Sequence, residues 1–184
     1  MPVTEYSASW SRSLKVTTAA VTALLVAIVL VFMFAPNKGI PGWLLFLLAT
    51  IPLSILLGCV ATMVCGYRLE DGALLVCRPG RTTRIALRGL LSASLDSRAC
   101  QDSTRVNGNG GVYSYSGWYH NAVLGTYELF ATDMSRTVVL KLPNRTVVIT
   151  PNQPEEFVSA VLGGPSGRKA SVPKPSWRSR VWRS

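Results

Sequence analysis

Apolar positions recur with three different patterns along the chain. Two uncharged runs, Val16–Ala35 and Trp43–Cys65, are almost continuously apolar. Each holds about 20 residues, enough at 1.5 Å per residue to cross a hydrocarbon core of roughly 30 Å. Pro36, Asn37, Lys38, Gly39, Pro41 and Gly42 separate them. The pattern predicts transmembrane helices over 16–35 and 43–65 joined by a short turn over 36–42, after a polar segment over 1–15. From Tyr67 onward apolar residues come in short segments punctuated by turns. Tyr67–Leu69 and Ala73–Cys77 flank Glu70, Asp71 and Gly72, and Pro79 with Gly80 lead into Thr82–Leu87 and Leu91–Asp96. Tyr127–Ala131, Thr137–Leu142 and Arg145–Ile149 follow, giving an antiparallel meander of about seven strands. The last pattern is helical. Asn152 as N-cap, Pro154 and Glu155 open a helix whose Phe157, Val158, Val161 and Leu162 share a face, and Gly163, Gly164 and Pro165 stop it. A transmembrane hairpin is therefore expected before a mainly-β domain over 66–164, closed by one helix as a small barrel or sandwich.

One stretch fits none of these patterns. Between Arg105 and Tyr127 the chain holds Asn107, Gly108, Asn109, Gly110 and Gly111, an alternating Val112–Ser116 segment, and then Gly117, Trp118, Tyr119 and Leu124–Tyr127. The glycines read as a loop supplying turns or bulges. Consecutive amides can also form an anion nest, but a phosphate-binding P-loop needs a following Lys-Ser/Thr and a helix, and here a strand-like alternation follows. A third reading is a partner-binding surface of Arg105, Asn109, Tyr113, Tyr115, Trp118 and Tyr119, since aromatics and arginine dominate interface hot spots. Arg105 has its own structural role available, bracing the loop through carbonyls or through Asp96 or Asp102.

Charge refines the picture. The net charge is +10, with 15% charged residues, below the quarter or so of an ordinary soluble domain. Residues 66–164 carry ten Lys/Arg against eight Asp/Glu, whereas 165–184 carry six Lys/Arg and no acid. The tail is thus the basic element. Its Arg168, Lys169, Lys174, Trp177, Arg178, Arg180, Trp182 and Arg183 suit anionic lipid, at about 1 kcal/mol per basic residue near a charged leaflet. A disordered solubilising tail has the same composition, and single-stranded nucleic acid is the less favoured partner for a membrane-anchored chain. Arg12 and Lys15 precede the first span and Arg68, Arg78, Arg81 and Arg84 follow the second, against Lys38 alone in the turn. The positive-inside rule then puts both termini in the cytoplasm. A signal peptide is disfavoured, because the first run exceeds an h-region and lacks a cleavage site.

Candidate chemistry is sparse. Neither span contains an ionisable residue, so the hairpin itself offers no ion pathway. Gly58 invites close helix approach and Pro52 a kink. Cys59, Cys65, Cys77 and Cys100 form no C-x-x-C pair, and His120 is the only histidine, so no metal site is expected. An acid–base or nucleophilic mechanism would have to bring His120 to Cys100 or an acid through the fold. No catalytic residue and no cofactor is expected.

Taken together, the Arg105, Asn107–Gly111 cluster, Gly117-Trp118-Tyr119, Leu124–Tyr127, Ala131-Thr132-Asp133, and Thr150, Pro151, Pro154, Phe157 and Val158 resemble the bacterial pleckstrin-homology-like (PH-like) domain, in its membrane-anchored branch. The resemblance covers roughly Tyr67 to Leu162. It implies a bent antiparallel sheet with its open end covered by the last helix, a binding or self-associating assembly module, and no catalysis. Function must still be argued from sites. The expected function is protein–protein interaction or oligomerisation at the cytoplasmic membrane face; the alternative is an anionic-lipid or anionic-ligand sensor using Arg78, Arg81, Arg84 and the tail.

Overall fold

The computed structural model describes residues 4–34, 39 and 41–163. In chain order its elements are β1 (Thr4–Ser7), α1 (Arg12–Phe34), α2 (Gly42–Ala61), β2 (Gly66–Glu70), β3 (Ala73–Arg78), β4 (Arg81–Ala86) and β5 (Ser92–Leu95). They are followed by β6 (Thr104–Val112), β7 (Ser114–Asn121), β8 (Gly125–Ala131), β9 (Val138–Leu142), β10 (Arg145–Ile149) and α3 (Pro154–Gly163). The two long apolar helices, the β-rich domain and the closing helix agree with the fold expected from the sequence. Residues of the turn, Lys38 among them, and the entire basic tail, including Arg168, Lys169, Lys174, Trp177, Arg178, Arg180, Trp182 and Arg183, lie outside the described residues.

The strands form a four-stranded sheet, β1-β2-β3-β4, and a six-stranded sheet, β5-β9-β10-β8-β7-β6. Alternation along each strand sends one set of side chains between the sheets. Tyr67, Leu74, Val76 and Ile85 from the first sheet meet Phe130, Val138, Leu140, Val147 and Ile149 from the second. Helix α3 closes the open end by placing Phe157, Val158 and Val161 in the same core. The opposite parity of the six-stranded sheet is also covered: Tyr119, Tyr127, Leu129, Ala131, Val139 and Val148 pack with Ala99 in a second cluster. Burial on both faces explains why β8 to β10 read as nearly continuous apolar runs.

Several details depart from the sequence expectation. The N-terminal segment supplies a strand, β1, which pairs antiparallel with β2 from Thr4↔Leu69 to Ser7↔Gly66. Tyr6 of that strand is buried and its ring meets Phe157 edge-on at 5.2 Å. The glycine-rich segment is a strand with bulges at Arg105/Asn107 and Gly110/Val112 rather than a loop. The alternating Val112–Ser116 segment is broken by the turn itself, with Tyr113 at φ 64°. One strand pair, β8 with β10, is parallel. Finally, Gly58 is not where the helices touch, since a Cβ there would meet nothing within 4 Å, and Asn152 makes no side-chain cap; its buried Oδ1 has no partner among the described residues.

The N-terminal segment is stitched in at several points. Asn152 N–H donates to the Ser7 carbonyl, Ser11 N–H to the Thr132 carbonyl, and the Thr132 hydroxyl to the Ser9 carbonyl. The segments before α1 and after α2 therefore share one sheet, on one side of the helix pair.

Candidate functional site

The β6–β7 hairpin positions every residue of the expected partner surface, and it does so with little apolar burial. Its two strands approach closely through a facing glycine pair, Gly108↔Gly117, at φ 116° and 129°. A Cβ on Gly117 would come within 2.7 Å of the Gly108 Cα, so neither position tolerates a side chain without moving the strands. At the tip, Asn109 replaces missing backbone pairing. Its Oδ1 accepts from Gly111 N–H (3.2 Å) and Val112 N–H (3.1 Å), while Nδ2 donates to the Val112 carbonyl (2.6 Å) and to Thr62 Oγ1 (3.0 Å).

The tip is seated on the two apolar helices. Tyr113 N–H donates to Thr18 Oγ1 (2.9 Å), and the Tyr113 hydroxyl lies 3.1 Å from Thr22 Oγ1. The Tyr113 ring also meets Trp10 edge-on at 6.1 Å. On the other side the Ser114 and Ser116 hydroxyls donate to the carbonyl of Thr62, the residue that ends α2. Thr18, Thr22 and Thr62 went unnoticed in the sequence. A threonine in an apolar helix ordinarily satisfies its hydroxyl on its own backbone, as Thr50 does on the Leu47 carbonyl. The signal was Thr18 and Thr22 at i, i+4 spacing on one helix face.

Two cavities flank the hairpin. One, of about 370 Å³, opens on the face of the six-stranded sheet that carries Tyr115, Tyr119 and Tyr127, and is bordered by Arg105, Cys100 and Met134. The second, of about 400 Å³, lies between the tip and Ile55, Cys59 and Thr62 of the helix pair, and Arg105 borders it as well. Hydrogen bonds fix the first cavity's walls. Tyr119 Oη donates to the Asn109 carbonyl (2.8 Å) and Tyr127 Oη to Ser103 Oγ (2.7 Å). Asn121 ties Ser103 and the Ala99 carbonyl to the β7–β8 turn.

Electrostatically the first cavity holds one cation among neutral donors. Burial pushes the Tyr119 and Tyr127 phenols up, and for Tyr119 the nearby Arg105 guanidinium acts the other way. Burial also raises the Cys100 thiol, with Asp96 adding to it and the Tyr127 hydrogen bond opposing it. A thiol held protonated is a weak nucleophile. His120 points to the opposite sheet face, where its Nδ1 meets Thr126 Oγ1 at 3.1 Å, so it is not brought to Cys100. Arg105 is exposed and has no carboxylate within ion-pair distance among the described residues; neither Asp96 nor Asp102 braces it.

The six expected surface residues consequently divide. Arg105, Tyr115 and Tyr119 border the first cavity. Asn109 and Tyr113 are engaged at the tip. Trp118, 42% exposed, emerges from the other sheet face opposite Asn107. The arginines of the alternative reading sit elsewhere. Arg78 and Arg81 pair across the β3–β4 hairpin, with the Arg78 guanidinium 4.7 Å from the Phe130 ring centroid.

Residues 65–163, just over half of the chain, match the model of the family described as Bacterial PH domain. No curated protein and no solved structure matches the chain.

Proposed function

The chain belongs to the bacterial PH domain family, and on that premise we propose that it is a membrane-anchored, non-catalytic binding module that docks a protein partner, or a second copy of itself, at the cytoplasmic face of the inner membrane. The observation that carries this reading is the edge of the six-stranded sheet from Thr104 to Gly108, exposed and uncovered among the described residues, while the tip end of the same strand packs on α1. β6 is its terminal strand: Arg105, without a carboxylate partner among the described residues, borders the aromatic cavity on one face, Trp118 is exposed on the other, and Val106 is exposed at the bulge between Arg105 and Asn107. An open edge offers backbone donors and acceptors to an extended partner segment, and side-chain pockets beside it supply specificity. Arg105, Tyr115 and Trp118 are the contact residues, while Asn109, Tyr113 and Tyr119 hold the edge in shape. β1 and β2, which flank the helix pair, share one sheet, which supports a two-span topology with both flanks on the same side; the positive flanks are the ground for taking that side as cytoplasmic.

A photo-crosslinking amino acid in place of Val106, activated in native membranes and read by mass spectrometry, tests this. A recurrent adduct to one protein, or to the chain itself, is expected. Dispersed uncrosslinked monomers would reject it. The anionic-lipid reading keeps one favourable observation: Cys77, next to Arg78, pairs with Gly66 just beyond α2, so the Arg78–Arg81 turn lies at the helix-proximal end of its sheet. The same crosslinker at Arg81 gives anionic-lipid adducts if that reading holds.

A further inference from the structure

The position of the hairpin tip along the helices conflicts with bilayer thickness unless the tip enters the membrane. Tyr113 touches Thr18 and Thr22, and Thr22 lies ten residues past the first residue of α1. Beyond it only Ala23–Phe34 remain, about 18 Å of helix at 1.5 Å per residue. A hydrocarbon core of roughly 30 Å does not fit in that length, so its cytoplasmic boundary falls about 10 Å closer to the domain. α2 marks the level: its 20 residues, Gly42–Ala61, span about 30 Å, and Thr62 just past them holds Asn109, Ser114 and Ser116. The hairpin therefore meets the boundary at Asn109, and Tyr113 reaches past it along α1 to Thr18 and Thr22.

The chemistry of the tip suits that location. From Val106 to Tyr119 there is no charged residue. Backbone groups in hydrocarbon must find partners within the protein, and the turn meets this demand: Gly111 and Val112 N–H and the Val112 carbonyl bond to Asn109, and Tyr113 N–H bonds to Thr18. Trp10, Tyr113 and Trp118 supply the amphipathic rings that favour the membrane interface. The Arg105 guanidinium folds along the hairpin and lies against Gly110, which keeps that end of the tip at the headgroup level while Val112 and Tyr113 reach deeper.

We propose that the β6–β7 hairpin tip, Gly110–Tyr113, is a third membrane-embedded element that inserts into the cytoplasmic leaflet of the bilayer against α1 and α2. The proposal rests on α1 and α2 crossing the bilayer, and the test separates the two. Full-length chains in which Cys59, Cys65, Cys77 and Cys100 are alanine carry one spin-labelled cysteine, as Val112→Cys, Val26→Cys or Val123→Cys, in phosphatidylcholine–phosphatidylglycerol vesicles. Val26 is exposed on α1, and Val123 is exposed in the β7–β8 turn at the far end of β7. The expected result is a several-fold lower ratio of nickel-chelate to oxygen collisions at 112 and 26 than at 123. A water-like ratio at 112 with a lipid-like ratio at 26 overturns the insertion and leaves the helices in place. A water-like ratio at both overturns insertion and span together. If removing the cysteines prevents folding, benzoylphenylalanine at the same three positions of the otherwise unaltered chain makes the same distinction. Lipid adducts are expected at 112 and 26 and not at 123; their absence at 112 while 26 reacts is the overturning result.

Discussion

The core between the two sheets and the β6–β7 hairpin are parts of one domain held by different forces. In the core, Tyr67, Phe130 and Phe157 are fully buried and stabilise the fold through area removed from water, at about 25 cal/mol per Å² of apolar surface. In the hairpin, the strands meet through glycine and the tip is fixed by side-chain bonds from Asn109, Thr18 and Thr62. Burial is cooperative and global, whereas directed bonds fix a local shape. On the proposed function, the difference gives stability to the first region and placement against other molecules to the second.

The most damaging test of that division is Phe157→Ala. The ring is fully buried, closes the open end of the sheets, and contacts Tyr6 of the N-terminal strand. Truncation of such a ring costs about 3–5 kcal/mol. Because α3 and β1 meet at this ring, both should become protease-sensitive together. Limited proteolysis with chemical denaturation of the reconstituted protein checks the expectation. Loss of α3 protection alone would mean that β1 is held independently by its pairing with β2.

A second, smaller effect belongs to Tyr67. Its hydroxyl donates to the Phe130 carbonyl (2.7 Å) and accepts from Thr150 N–H (3.2 Å), joining the two sheets. Burial pushes this phenol up to about 12, while in the unfolded chain it titrates near about 10. The raised value means its contribution is fully present below about pH 10 and is lost as pH rises toward about 12. There the unfolded chain has released a proton that the folded one retains. The expected slope is about 1.4 kcal/mol per pH unit in that window. Tyr67→Phe should flatten alkaline unfolding by one proton's worth, while costing about 1 kcal/mol at neutral pH. Equal slopes in the two proteins would show that Tyr67 does not govern alkaline lability.

The same two regions explain what could be read in the sequence. Helices α1 and α2 and seven strands were legible because burial leaves periodic apolar residues, and α3 because Phe157, Val158 and Val161 repeat at helical spacing. β1 was not, since Tyr6 is its single buried residue and four residues carry no periodicity. β6 was hidden by its composition. Its pattern is almost wholly exposed, so Asn and Gly read as loop, although long-range pairing with β7 makes them a strand. The parts of the site at Arg105, Tyr115 and Tyr119 were named from composition, but their division between cavity, tip and opposite face follows from bulges and from Tyr113 at positive φ. No local signal encodes those.

The smallest effect sharpens the comparison most, because it separates placement from stability within one residue. Arg105 is exposed and lacks a carboxylate partner among the described residues, so Arg105→Gln should leave stability within about 0.5 kcal/mol. Its guanidinium nonetheless lowers Tyr119 against the upward push of burial. Removing the cation withdraws that opposition, and the Tyr119 phenol should titrate higher still. Ultraviolet difference titration against Tyr119→Phe isolates this step. An upward move with unchanged stability makes Arg105 an electrostatic element of the cavity, available to a partner. An unmoved titration with lost stability would instead make it a brace of the hairpin, and the open edge of β6 would then lose its one charged contact.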